Sequence, residues 1–327
     1  MKETEISVIV PVYNVERYIK NFLISVTNQI FKDFELIIVN DGSSDKSIEI
    51  AEEYLKGVDF DYKIINKENR GQSSARNVGI KEAKGKWLVF PDSDDVLQAN
   101  YLNNMYFNAT KRKDEDIDVV ICDINRVNDR NIFEETKIDN KSETKIGKEF
   151  FVDFIMHDIE IGPYSLLIKK KVLIDNNIFY NEKSRYSEEF IFITNLLYYS
   201  NKVIHTNNKL YNYCLRTGSV STGAKIEKIL NGYSQIKEYS KIYNQNKNKY
   251  EIIYNRYALP RWILATARFT CNVLNKYDYL LLMDRLNAKK EIKKLYSFPN
   301  LKVKIATVVF ETSPTLFYKI NKRRIKN

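Results

Sequence analysis

The chain has 327 residues, 44% hydrophobic and 29% charged, with a formal net charge of +10. That length can fill more than one core, and the composition excludes a disordered polymer. No stretch approaches the ~18 apolar residues of a membrane span, ISVIVPVYN turns polar too soon for a signal peptide, and Cys122, Cys214 and Cys271 lack the spacing of a zinc site or disulfide framework, predicting buried, reduced thiols in a cytoplasmic protein.

ISVIVPVYN reads as a strand, and residues 15–29 follow with helical spacing, Tyr18, Phe22 and Val26 sharing a face. FELIIVNDGSSD is a second strand ending in a Gly-Ser turn, with Ser44 or Asp45 placed to cap a helix over 46–56. DYKIINKEN is a third strand, RGQSSARNVGIKEAKG a loop and helix stopped by Gly85, and KWLVF a fourth strand. Strands alternating with helices predict an α/β fold, a parallel sheet with helices on both faces. Beyond Leu97 come a helix near 101–111, the strand IDVVICDI, a polar loop over 128–145 and a helix near 147–157. The strand YSLLI, a loop entering a helix at RYSEEFIF, and helices rich in Tyr, Lys and Asn from Lys225 onward complete the chain. Boundaries near 97 and 222 divide it into residues 1–97, 98–222 and 223–327.

The segment FPDSDD places Asp92, Asp94 and Asp95 at the end of the fourth strand. Like charges this close repel unless something offsets them. In extended backbone Asp92 and Asp94 share a face, with Cα atoms roughly 6.5–7 Å apart, and Asp95 is expected to cap a helix starting near Leu97. Ligands of open α/β sheets bind beyond the carboxyl ends of the strands, and a hard cation such as Mg²⁺ or Mn²⁺ binds carboxylates together with phosphate. At the same edge VNDGSSD supplies Asp41 and a Gly-Ser turn, and RGQSSARNVG supplies Arg70 and Arg76 around a helix start, where phosphate is favoured. Neither GxGxxG nor GxxxxGK[ST] occurs, so a dinucleotide fold or P-loop is not indicated.

The run from ISVIVPVYN to VNDGSSDKS, followed by NRGQSSARNVGIKEAKGKWLVFPDSDD, resembles the family 2 glycosyltransferases. The likeness is strong over about residues 5–100 and traceable to about 222. It implies a GT-A fold: one Rossmann-like, mostly parallel sheet flanked by helices that binds a nucleotide-sugar, an acceptor-binding half, and here a helical region. By position DSDD matches the family's DxD motif. The resemblance implies that Asp94 ligates the metal, that Asp92 contacts metal or ribose, and that Pro11, Tyr13 and Asp41 hold the base. It places Arg76 and Arg216 at the donor, with Ser219 and Ser221 near Arg216; Arg70 at the helix start and Ser93 within DSDD are further candidates for donor binding. The family's catalytic base is an Asp in an acidic pair before a helix. Here YSEEFIF stands there, so Glu189 aligns with the base and Glu188 is the alternative; either departs from Asp by a methylene. His157 and His205 are expected to be structural.

The implied activity is inverting transfer from a nucleotide-sugar, UDP-linked by family analogy, to a hydroxyl of a glycan or lipid-linked acceptor in surface polysaccharide synthesis. Nucleotidyl transfer and an inactive nucleotide-sugar-binding module are the alternatives. Nucleic acid is not an expected partner, since no aromatic-basic patch is evident. Residues 297–327 hold seven Lys or Arg against one Glu. Val303, Ala306, Thr307 and Phe310 share a helical face, and Leu316, Phe317 and Ile320 resume the apolar pattern beyond Pro314. This segment is read either as packed on the body or as lying on an anionic membrane at the inner face of the cell membrane. The Tyr-rich helices are a candidate surface for homo-oligomers.

Overall fold

The structure, a computed structural model, describes residues 4–111, 115–128, 132–133, 135–139, 141–157, 159–184, 186–215, 225–241, 243 and 248–323. The first half runs β1 (Ile6–Val12), α1 (Ile19–Thr27), β2 (Phe34–Asn40), α2 (Ser47–Leu55), β3 (Asp61–Asn66), α3 (Gln72–Glu82), β4 (Trp87–Val89), β5 (Val96–Leu97) and α4 (Tyr101–Thr110). Then come β6 (Ile117–Val127), β7 (Ser142–Ile146), α5 (Gly147–Met156), β8 (Leu166–Lys169), α6 (Lys170–Asp175), α7 (Glu188–Tyr199) and β9 (Lys202–Cys214). The helical remainder is α8 (Ile226–Ser240), α9 (Lys249–Ile253), α10 (Leu259–Val273), α11 (Lys276–Arg285), α12 (Ala288–Lys293), α13 (Leu301–Thr312) and α14 (Pro314–Arg323).

The chain divides into two compact units. One comprises Met1–Phe150, Glu160–Glu182 and Phe192–Arg216; the other comprises Phe151–Ile159, Lys183–Ile191 and Thr217–Asn327. The first is built on one sheet in the order β3-β2-β1-β4-β8-β6-β9-β5, with β7 on β9. The α/β architecture expected from the sequence is the one observed. Strands β3, β2, β1 and β4 are parallel, whereas β8 joins β4 and β6 antiparallel, so the whole sheet is mixed. Every residue of β1 and β2 is buried, as apolar strands covered on both faces require. Edge strand β3 is exposed at half its positions. Helix α3 lies very close to the sheet: a Cβ on Gly79 would come within 2.1 Å of the Ile9 Cγ2 methyl.

Several local expectations change. Helix α1 spans Ile19–Thr27 instead of 15–29, because Asn14 takes φ 52° and residues 14–16 are tied to the turn after β2. Neither Ser44 nor Asp45 is the N-cap of α2: Lys46 holds that position without a side-chain bond, and Asp45 just before it accepts the Ser47 N–H at 3.0 Å. Helix α3 ends at Glu82, three residues before Gly85; Gly85 instead makes a close approach, since a Cβ there would lie 2.5 Å from the Ser7 backbone nitrogen. All three cysteines are free and buried.

In the second unit asparagines cap α9 (Asn248), α11 (Asn275) and α13 (Asn300). Aromatic contacts fill its core, with Phe151 stacked on Tyr254 at 5.8 Å and Phe310 edge-on to Phe317 at 5.2 Å. Val303, Thr307, Phe310, Phe317 and Tyr318 are buried, so this face of the basic segment packs within the second unit. Among the described residues no helix is long and apolar enough to cross a membrane.

Candidate active site

The order β3-β2-β1-β4 reverses direction between β1 and β4, and a crevice opens at such a point beyond the carboxyl ends of the strands. Strand β1, which ends at Val12, carries buried Pro11 and delivers Tyr13, which is 51% exposed. Strand β2 delivers Asp41, a buried carboxylate with three donors: the backbone N–H of Arg70 at 3.0 Å, that of Gly71 at 2.8 Å, and the Lys67 ammonium. These bonds hold the loop before α3 against β2. Gly42 (φ 76°) and Gly71 (φ 93°) supply the left-handed backbone those two turns need. The Arg70 side chain is 69% exposed beside Glu68.

The segment after β4 is a turn, not extended backbone. The Asp95 N–H bonds the Asp92 carbonyl at 3.2 Å, which folds the three aspartates together. One ligand oxygen from each of Asp92, Asp94 and Asp95 lies within 4.8 Å of the others, whereas strand alternation would send Asp95 to the opposite face. Asp95 does not cap a helix. Val96–Leu97 is strand β5, paired with β9, and Asp95 accepts the Cys214 N–H at 2.8 Å and the Tyr211 hydroxyl at 2.7 Å. The Tyr211 hydroxyl in turn accepts the Asp92 N–H at 3.0 Å, so one phenol locks both ends of the turn. Burial pushes the Asp95 carboxyl well above the usual range, and the charges of Asp92 and Asp94 add to the push. Burial also raises Tyr211, helped by Asp95 and Asp92, so the phenol stays protonated to make its bonds. Ser93 is buried within the turn.

Asp92 has an unexpected partner. Arg76, fully buried on α3, donates to Asp92 Oδ1 at 2.8 Å and lies over the Tyr180 ring at 5.1 Å. Gln72, one turn earlier on α3, donates to the same oxygen at 2.9 Å. Asn77 fixes the Tyr180 backbone from both sides, accepting its N–H and donating to its carbonyl, each at 2.9 Å. The structure thus brings Asp92, Ser93, Asp94, Asp95 and Arg76 together. Sequence reading missed Tyr211, Tyr180, Gln72 and Lys67; each meets its partner across a large sequence separation, and no local motif marks it.

Glu188 and Glu189 open α7 and belong to the second unit, where carboxylates suit a helix start. The preceding Ser187 hydroxyl donates to the Gly232 carbonyl at 3.1 Å. His205 pairs with Asp123 at 2.8 Å and packs edge-on to Phe150; exposed His157 follows α5, 3.7 Å from Asp153. Arg216, Ser219 and Ser221 lie outside the described residues.

The aspartates offer hard oxygens only. Asp92 and Asp94 are partly exposed, while both Asp95 oxygens are engaged behind them. A divalent cation that takes one or two carboxylates and completes its shell with water and phosphate fits this donor set.

A family model described as glycosyl transferase family 2 matches residues 7–173. The chain is 30% identical over 237 residues to glycosyltransferase GlyA of Streptococcus pneumoniae, covering 67% of this chain and 32% of that protein. It is 25% identical over 310 residues to the cholesterol galactosyltransferase of Borreliella burgdorferi, covering 90% of this chain and 85% of that one. The crystal structure of Staphylococcus aureus TarS 1–349 in complex with UDP-GlcNAc matches with a TM-score of 0.69 at 20% identity, over 98% of this chain and 91% of that one, a likeness of fold. The chain spans only about a third of the length of three of the curated relatives it matches, 34%, 32% and 33%, GlyA being the second of these. With the matched segment covering half of the sequence and the acidic turn inside it, the chain belongs to glycosyl transferase family 2.

Proposed function

We propose that this protein is a metal-dependent, inverting glycosyltransferase. Its donor is a nucleotide-sugar, UDP-linked, and its acceptor a hydroxyl of a glycan or lipid-linked glycan in surface polysaccharide assembly on the cytoplasmic side. The carrying observation is the folded turn of Asp92, Asp94 and Asp95 at the β1/β4 switch point. The relatives support the reading: the TarS structure holds UDP-GlcNAc, and the relative matched over 85% of its length is named a cholesterol galactosyltransferase.

Asp94 and Asp92 would hold Mg²⁺ or Mn²⁺. When bound, such an ion acts as a Lewis acid on the diphosphate leaving group. Arg76 and Gln72 orient the Asp92 carboxylate, and Tyr211 keeps the turn folded. Tyr13 and Pro11 contribute the nucleoside side of the pocket, and Asp41 shapes it through the loop it pins. Glu189, or Glu188, takes the proton of the acceptor hydroxyl. That oxygen bonds to the anomeric carbon from the face opposite the diphosphate, while the carbon–oxygen bond to the diphosphate breaks and its electron pair leaves with the nucleotide.

The test is nucleotide release from a panel of UDP-sugars with Mn²⁺, Mg²⁺ or chelator. Turnover that needs the cation and that Asp94→Asn nearly abolishes supports the reading; wild-type turnover by Asp94→Asn refutes the metal assignment. Release of pyrophosphate would indicate nucleotidyl transfer. Metal-dependent binding without turnover would indicate a binding module, a reading that the Glu at 189 keeps in play.

A further inference from the structure

Helix α13 is apolar on two opposite sides. Its buried side, Val303, Thr307 and Phe310, packs within the second unit. The other side carries Leu301, Ile305 and Val308, exposed by 69%, 55% and 46%. At 100° per residue these three and Thr312 fall within about 60° of arc, so they form one stripe along the helix. A solvent-facing helix normally turns its polar side outward, and a helix apolar all round is covered by something. Lys302 flanks the stripe on one side and Lys304 on the other. The single acid of the segment, Glu311, is occupied with Lys293 at 3.8 Å. Helix α14 repeats the composition, with exposed Leu316 and Ile320 beside exposed Lys319 and Lys322.

We propose that the Leu301–Ile305–Val308 stripe of α13 docks on an anionic lipid surface, the apolar side chains entering the acyl boundary while Lys302 and Lys304 meet the headgroups. The membrane-facing side is therefore the one opposite the Val303–Phe310 face that periodicity first suggests. Charge selects this occupant over a second copy of the chain. A two-fold pairing would set the flanking lysines of one copy near those of the other, whereas anionic headgroups complement them. The inference rests on the transferase reading only for its purpose, which is to hold the enzyme where a lipid-linked acceptor lies.

The experiment is co-sedimentation of the full chain with vesicles of phosphatidylcholine alone or with about one-third phosphatidylglycerol. Wild type is expected on the anionic vesicles and not on the neutral ones. Lys302→Glu/Lys304→Glu should weaken that binding by about thirtyfold or more, at about fivefold per basic residue. Ile305→Asn alone and Ile305→Asp/Val308→Asp should each weaken it as well. Because Lys302, Ile305 and Val308 are exposed and Lys304 is half-buried at the helix surface, melting temperature and nucleotide release in solution should change little, which separates lost docking from lost folding. Equal binding of wild type and both variant classes overturns the proposal. So does a wild-type dimer by light scattering that Ile305→Asn dissolves. A chain that docks but never releases nucleotide leaves the surface standing and removes the transferase reading; turnover without docking does the reverse.

Discussion

Asp92→Ala and Asp94→Ala, measured without metal, separate two jobs inside one acidic cluster. If the aspartates were only a set of like charges, deleting either would stabilise the protein. With ligand oxygens within 4.8 Å, each removal relieves about 3 kcal/mol of repulsion at an effective dielectric constant near 20. That relief is similar for the two variants and cancels in their comparison. What does not cancel is Arg76, whose guanidinium is 0% exposed and loses its 2.8 Å partner only in Asp92→Ala. Removing one partner of a buried ion pair costs about 3–5 kcal/mol, and the low end applies here because the Asp92 side chain is 21% exposed. Asp92→Ala should therefore melt about 6–12 °C below Asp94→Ala, at about 2–4 °C per kcal/mol for a unit of this size. Differential scanning calorimetry in chelator reads the difference. Melting points within about 2 °C of each other, or Asp92→Ala the more stable, would refute the claim that Asp92 exists partly to neutralise Arg76.

The Asp95 carboxyl sits well above its ordinary 3.8, so the native chain holds a proton that the unfolded chain releases. Its contribution to stability therefore falls as pH rises from the unfolded value through the folded one. Asp95→Asn should flatten that part of the metal-free melting curve against pH; parallel curves for the two proteins would contradict the assignment. Gly79→Ala pushes a methyl against Ile9 and should lower the urea midpoint by the equivalent of about 1–3 kcal/mol, where an unchanged midpoint would mean that α3 can lift off the sheet. Glu189→Gln should cut kcat by about a hundredfold or more with donor KM little changed, and Glu188→Gln far less; the opposite ranking moves the base to Glu188.

Much of this protein is legible in the linear chain because its signals are local. Strand and helix periodicity in the first hundred residues predicts the parallel half of the sheet, whose order β3-β2-β1-β4 the structure supplies, and the aspartates advertise themselves by crowding. Three features are not legible. Backbone folding at 92–95 replaces strand alternation with a turn, which needs Tyr211 from more than a hundred residues away. The partnership of Arg76 with Asp92 depends on how close α3 sits on the sheet, and so on the missing side chain at Gly79. On α13, periodicity marks the Val303–Phe310 face but cannot say whether it is covered or left for a partner, since burial depends on what other segments pack against it. Residue types and spacing determined the elements and the chemistry on offer; contacts between distant segments decided which charges meet, which are shielded and which surface remains for a partner.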